Sequence, residues 1–237
     1  LMHDVALDNL HVVFCIDRAG IVGDDGPTHN GTFDLSFLLP IPNMVVMAPK
    51  DENELQHMLK TAIEYEGPAA LRYPRGKALG VPLDEKLETL EIGKSELLRS
   101  GSDLAIFAIG TMVNPSLEAA EILSRDNGIE AAVINARFAK PIDVDMLVKW
   151  AKKTKRIITV EENALSGGFG SAVLSALSDN QLHSVAVRRL GIGDFFVEHG
   201  AADSVRADLG LDAAGIAHSA AEFLSDARPK TKKTKNR

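Results

Sequence analysis

The sequence predicts an α/β protein with mostly parallel sheets, folded as two consecutive units. Short apolar runs alternate with longer amphipathic segments, the first strand empties into a glycine-rich loop, and helical segments open on acidic residues or glycine. Uninterrupted apolar runs suit strands buried on both faces, because helices cover both sides of a parallel sheet.

His11-Val-Val-Phe-Cys-Ile16 reads as the first strand, a short apolar run between polar residues. It delivers the chain into Asp17–Gly31, where four glycines and Pro27 exclude a regular element. Phe33–Leu39 is a short helix ended by Pro40 and Pro42, and Met44–Ala48 a second strand. Pro49-Lys-Asp-Glu-Asn-Glu opens a helix that runs to Tyr65, its acidic first turn facing the positive helix end. Ala69–Tyr73 is a third strand, halted by Pro74. Residues 77–102 read as a linker with some strand content from Leu90 to Leu98. A second cycle follows: strand Leu104–Ile109, helix Asn114–Ser124, strand Ile129–Asn135, helix Asp143–Lys152 and strand Arg156–Val160. A helix led by Gly167-Gly-Phe-Gly170 to Leu177, strand Ser184–Leu190 and helices Ala201–Leu209 and Asp212–Leu224 complete it. The boundaries expected are therefore 1–76, a linker 77–102, a second domain 103–227 and a disordered basic tail 228–237. Only three strands are visible in residues 1–76, which is thin for a self-sufficient layer, and Leu1 is not an initiator methionine. Strands preceding Leu1 are therefore expected to complete the first unit.

With 237 residues, 45% hydrophobic and 25% charged side chains, the chain is neither a fibre, a coiled coil nor a disordered tail. It holds 26 basic and 33 acidic residues, and the last ten residues contain six of the basic ones and no acidic one. The body before them has 20 basic against 33 acidic residues, or −13, which would repel a phosphate backbone, so nucleic acid is not an expected partner. Cys15 is the single cysteine and fits a reducing compartment, while no run of eighteen apolar residues points to a membrane.

The richest site candidate is the Asp17–Gly31 loop, which leaves the carboxyl end of a strand where open α/β sheets place ligands. It carries Arg18, Asp25 and His29, and Arg72 and Arg75 flank Tyr73-Pro74 at another strand end. Two such loops can converge on one anion: arginine grips phosphate or carboxylate bidentately, and histidine exchanges protons with hydroxyl or carbonyl oxygens. In the bland alternative Arg18 pairs with Asp17 or Asp25, Asp24 is a solvated turn residue and His29 caps a helix. Scattered histidines and one cysteine make no metal site. Glu161 and Glu162, just before Gly167, Gly168 and Gly170, would repel a pyrophosphate, which favours close packing at a helix start or a subunit contact. Trp150 among Lys149, Lys152, Lys153 and Lys155 reads as an amphipathic helix with a packed ring and solvated charges.

Three strings in the first unit, Asp17-Arg-Ala-Gly-Ile-Val-Gly-Asp-Asp-Gly-Pro-Thr-His-Asn-Gly-Thr-Phe-Asp34, Pro42-Asn-Met-Val-Val-Met-Ala-Pro49 and Leu71-Arg-Tyr-Pro-Arg-Gly76, resemble the 1-deoxy-D-xylulose-5-phosphate synthase family of transketolase-like thiamine diphosphate enzymes. Val160-Glu-Glu-Asn-Ala164, Gly193-Asp-Phe-Phe196 and Leu209-Gly-Leu-Asp-Ala-Ala-Gly215 extend the likeness through the second unit. The resemblance implies the rear part of a pyrimidine-binding domain followed by a transketolase C-terminal domain. It implies the condensation of pyruvate with glyceraldehyde 3-phosphate, with loss of carbon dioxide, to a precursor of isoprenoids, thiamine and pyridoxal. It also implies a cytoplasmic or plastid-stromal homodimer that needs thiamine diphosphate and magnesium. Arg18 and Arg75 fall where that family binds the aldehyde's phosphate, Asp25 where a carboxylate contacts substrate, and His29 on the active-site histidine.

The family's diphosphate- and magnesium-binding domain, and the segment bearing its cofactor-activating glutamate, have no counterpart here. Glu52, Glu54 and Glu64 lie downstream of the loop and do not take that role, so no residue is assigned to the cofactor. Gly23-Asp-Asp-Gly26, with Asn53 downstream, is out of register by one aspartate with a magnesium-diphosphate motif. The chain alone is expected to be inactive, and to need the missing portion in cis or in trans. Rival readings are the rear subunit of a split transketolase or of a 2-oxoacid dehydrogenase, and a catalytically silent dimerisation fragment.

Overall fold

The computed structural model describes residues 1–226. As predicted, strands and helices alternate into two α/β units. The first sheet has the order β1 (Val13–Ile16), β3 (Ala69–Arg72), β2 (Val45–Met47), all parallel, and carries an antiparallel edge strand, β7 (Phe138–Lys140). The second sheet has the order β4 (Glu96–Arg99), β6 (Ala131–Asn135), β5 (Leu104–Ala108), β8 (Arg156–Ala164), β9 (Ala186–Ile192), with only β4 antiparallel. The basic tail expected at 228–237 lies outside the described residues.

The period of two along each strand assigns its side chains to layers. Val45, Met47, Ala69 and Leu71 pack with Met58 and Ala62 of α2 (Glu52–Glu64) on the outer face of the first sheet. Their alternates Val46 and Ala70 join Ala105, Phe107, Ala132 and Ile134 of the second sheet in one shared cluster. Leu35 and Leu38 of α1 (Asp34–Leu38), Trp150 of α4 (Val144–Thr154) and Phe169 and Val173 of α5 (Phe169–Asp179) fill the same cluster. The opposite face of the second sheet, Leu104, Ile106, Val133 and Ile158, is covered from α3 (Val113–Ile122) by Ala119 and Ala120 and from α7 (Ala213–Asp226) by Ile216 and Ala220. The two units thus share one continuous core.

Local chemistry sets the helix starts. Asp51 accepts the Glu54 N–H at 2.7 Å and caps α2, and Asp143 accepts the Met146 N–H at 3.0 Å and caps α4. Trp150 is buried, and the Lys153 ammonium lies 4.2 Å from its ring centre, as the amphipathic reading of that helix anticipates.

Two of the differences from the sequence reading bear on the site and the sheets. Phe138–Lys140 had no assignment, because a three-residue segment between Ala136-Arg137 and Pro141 shows no periodicity; it forms a strand by adding to a sheet edge built far earlier in the chain. β8 runs four residues beyond Val160, through Glu161-Glu162-Asn163. That polar string is buried throughout because each side chain is partnered, Glu161 by the start of α5 and Glu162 and Asn163 by Ile21 and Leu35 across the junction between the units.

Candidate functional site

Because β1, β3 and β2 are parallel, their carboxyl ends lie on one edge, and the Asp17–Gly31 loop and the Tyr73–Gly76 turn leave from that edge. Gly20 and Gly31 exchange N–H···O bonds of 2.9 Å in both directions and close the loop into a stem. Gly31 also donates to the Arg18 carbonyl at 3.1 Å. A Cβ on Gly31 would sit 2.2 Å from that carbonyl oxygen, so only glycine fits the crossing.

The structure brings Asp25 and Arg75 together as an ion pair across the two loops. Arg18, at φ +57°, turns instead to Asp17 at 2.9 Å, and its Nε is buried without a hydrogen-bond partner. The exposed His29 has its Nδ1 2.9 Å from the Thr28 hydroxyl. Arg72 is not available for substrate. It is buried, donating to Asp34 Oδ2 at 3.1 Å and to the Gly31 and Glu162 carbonyls at 2.7 and 2.8 Å. Its neighbour Arg75 keeps half of its side chain exposed.

The second unit braces this loop, which periodicity did not reveal. Glu162, at the carboxyl end of β8, accepts from the Ile21 N–H, the Thr111 hydroxyl and Arg206 Nε at 3.1, 2.8 and 2.9 Å. Asn30 donates to the Val197 carbonyl at 3.0 Å, and Asn163 accepts from the Leu35 N–H at 3.1 Å. The one signal for such contacts was charge placed before a glycine-rich helix start.

Glu161 accepts the Phe169 and Gly170 N–H groups, each at 2.7 Å, at the start of α5. Loss of water on burial pushes its carboxyl up to about 7, opposed by those two bonds and by the positive charges of Arg72 and Arg189. The folded state therefore holds this proton longer than the unfolded chain does. From the ordinary value of 4.5 to about 7, Glu161 makes stability fall as pH rises, and its contribution is flat above that window. Glu161→Gln should remove that part of the slope in urea denaturation at pH 5 and 7.5. It should also cost about 1–3 kcal/mol, since the amide NH2 must face one of the two N–H donors. An unchanged slope would contradict the shift.

A cleft of about 580 Å³ lies beside the loop. It runs between the carboxyl ends of the two sheets and is lined by Lys50, Tyr73, Lys77, Thr111, Asn114 and Arg206. None of Arg18, Asp25, His29 or Arg75 lines it.

These residues do not fit a magnesium diphosphate. Asp25 is paired with Arg75 and Asn53 with Asp84, so Gly23–Gly26 and Asn53 do not converge, and no group of three potential metal ligands occurs among the described residues. No described helix is long and apolar enough to cross a membrane.

Residues 1–79 match the transketolase pyrimidine binding domain, and residues 93–216 the transketolase C-terminal domain. The chain is 59% identical over 225 residues to 1-deoxy-D-xylulose-5-phosphate synthase 1 of Geobacter sulfurreducens, covering 95% of this chain and 35% of that one. It is 58% identical over 227 residues to the 1-deoxy-D-xylulose-5-phosphate synthase of Heliobacterium modesticaldum, with 96% and 35% covered. The chain thus spans about a third of the length of the curated relatives it matches. Among solved structures it resembles a split-gene transketolase in an inactive β4 tetramer, at TM-score 0.83 and 31% identity over 94% of this chain and 70% of that one. It shares its fold with the transketolase of Campylobacter jejuni, at TM-score 0.64 and 20% identity over 89% and 31% of the two chains.

Proposed function

This chain belongs to the transketolase family, and on that premise we propose that it forms part of a synthase condensing pyruvate with glyceraldehyde 3-phosphate, with loss of carbon dioxide, to 1-deoxy-D-xylulose 5-phosphate. The observation that carries the reading is the Asp25–Arg75 pair, which joins two loops bearing two arginines, a carboxylate and a histidine at one sheet edge.

Arg18 and Arg75 hold the phosphate of the acceptor aldehyde; the unpartnered Arg18 Nε is a donor for one of its oxygens. Asp25 keeps Arg75 in place until the phosphate competes for it, and then faces a substrate hydroxyl. His29, exposed near the exit of the loop, moves protons to and from substrate oxygens. Thiamine diphosphate with magnesium supplies the carbanion chemistry. Its platform lies in another portion of the synthase, joined to this one in cis or in trans. The complete enzyme acts as a homodimer, in the cytoplasm or a plastid stroma.

The test is carbon dioxide release from labelled pyruvate by the complete synthase carrying this sequence. Wild type should depend on glyceraldehyde 3-phosphate. Arg18→Ala and Arg75→Ala should each raise the KM for that aldehyde by about 10- to 150-fold, from the loss of a charge-assisted hydrogen bond of about 1.5–3 kcal/mol. The effect should be much smaller with unphosphorylated glyceraldehyde, and equal effects on both aldehydes would overturn the phosphate assignment. The coverage of a split-gene transketolase favours a second reading, the rear subunit of a two-chain transketolase. A partnered chain that consumes ketose phosphates and ignores pyruvate would establish it.

A further inference from the structure

Residue 162 holds both ends of the site loop. Its side chain meets the entry: Glu162 Oε1 accepts the Ile21 N–H at 3.1 Å, and a Cβ on the preceding Gly20 (φ +76°) would lie 2.5 Å from the carboxylate carbon. Its carbonyl meets the exit through Arg72, which bridges the Glu162 and Gly31 carbonyls at 2.8 and 2.7 Å. Between these points lie residues 21–30, with Asp25 and His29. The stem is the Gly20–Gly31 pair with the Gly31 N–H also on the Arg18 carbonyl; the second unit meets the loop elsewhere through the Gly200 N–H on the Gly23 carbonyl and Asn30 on the Val197 carbonyl, but only residue 162 reaches both ends of the stem.

The carboxylate is fixed in turn. It is buried and takes Arg206 Nε on Oε1 at 2.9 Å and the Thr111 hydroxyl on Oε2 at 2.8 Å. Both partners line the 580 Å³ cleft, Arg206 from α6 (Ala202–Asp208) and Thr111 from the turn Gly110–Met112 just before α3. A buried carboxylate with three donors is rigid, because any rotation leaves a donor without an acceptor.

We propose that Glu162 is a positioning residue of the synthase: from the C-terminal unit it fixes the stem of the Gly20–Gly31 loop, so that Asp25 and His29 meet the acceptor aldehyde in register. It touches no substrate and acts through the Ile21 N–H and through Arg72. The positioning claim rests on the synthase reading, whereas the stem claim does not.

Two measurements separate them. Amide hydrogen exchange on the 237-residue chain, without substrate, should show Ile21 exchanging about 10- to 100-fold faster in Glu162→Ala, as expected for the loss of one charge-assisted hydrogen bond, while β5 and β6 amides keep their protection. Glu162→Gln keeps an acceptor for Ile21 and should restore most of that protection. In the complete synthase, Glu162→Ala should raise the KM for glyceraldehyde 3-phosphate far more than that for pyruvate, with Glu162→Gln in between. Should Glu162→Ala fail to fold, Thr111→Val and Arg206→Gln, each removing one partner of the carboxylate, must speed Ile21 exchange at an unchanged global midpoint.

Unchanged Ile21 protection in Glu162→Ala, or in both partner variants, overturns the proposal and leaves the synthase reading intact. So does a KM rise shared equally by the two substrates. A wild-type protein without synthase activity overturns the positioning role together with the functional reading, while the exchange result still decides whether Glu162 holds the stem.

Discussion

Replacing Arg72 with methionine is expected to destabilise the chain by about 3–5 kcal/mol, the range for breaking a buried ion pair from one side. The guanidinium is 4% exposed and joins Asp34, the Gly31 carbonyl and the Glu162 carbonyl, so its loss strips partners from a carboxylate and two carbonyls at once. The Asp34 carboxyl is already raised: burial pushes it up, and the charge and hydrogen bond of Arg72 hold it partly down. Without Arg72 it rises further, and the folded state of the variant binds a proton that the unfolded chain releases. The variant's deficit should therefore grow as pH rises through the carboxylate range and shrink toward acid pH. Urea midpoints of wild type and variant at pH 5 and 7.5 measure this directly. A deficit below about 1 kcal/mol at pH 7.5 would show that Arg72 is no clamp.

Glu54→Ala is expected to cost about 2–4 kcal/mol, somewhat less because the cations it pairs are about one-fifth exposed. The Glu54 carboxylate accepts the Lys50 N–H at 2.8 Å, Asn135 Nδ2 at 2.8 Å and Arg137 Nε at 2.8 Å, and pairs with the Lys50 ammonium at 3.2 Å. One carboxylate on α2 thus joins the first unit to the end of β6. Burial works to lower the Lys50 pKa, yet Glu54 and Glu96 together raise it overall. That stabilisation is full below the ordinary lysine value and is lost only as pH rises past it. Without Glu54, Lys50 and Arg137 share Glu96, at 3.2 and 2.9 Å, and Lys50 keeps only the more distant Asp51 at 4.0 Å besides. A double-mutant cycle of Glu54→Ala with Arg137→Ala should show marked non-additivity, and additive losses would mean the pair contributes nothing as a pair.

Both variants act where the units meet, and this is also where the sequence was least legible. Strands such as Leu104–Ala108 and Ala131–Asn135 announce themselves because five and four consecutive apolar residues, respectively, can only be buried. The site loop was legible for the opposite reason: four glycines and a proline leave no regular element for Asp17–Gly31. Arg72 and Arg75 look equivalent in Tyr-Pro-flanked sequence, but one strand position faces the core and the other lies past the strand end in solvent. Nothing in Glu161-Glu162-Asn163 itself carries the strand past Val160, because burial of charge depends on partners up to 141 residues away, such as Ile21.

Local pattern by itself determined the α/β class, most of the order of elements and the turn-rich loop that carries Arg18, Asp25 and His29, since propensity and periodicity act over a few residues. Motif likeness to the synthases came from the same local strings. Tertiary structure decided which groups meet. It set Asp25 on Arg75, drew Phe138–Lys140 into the first sheet and fixed the loop stem on Glu162. Those outcomes follow from desolvation and hydrogen-bond satisfaction between distant segments, and no window of neighbouring residues contains them.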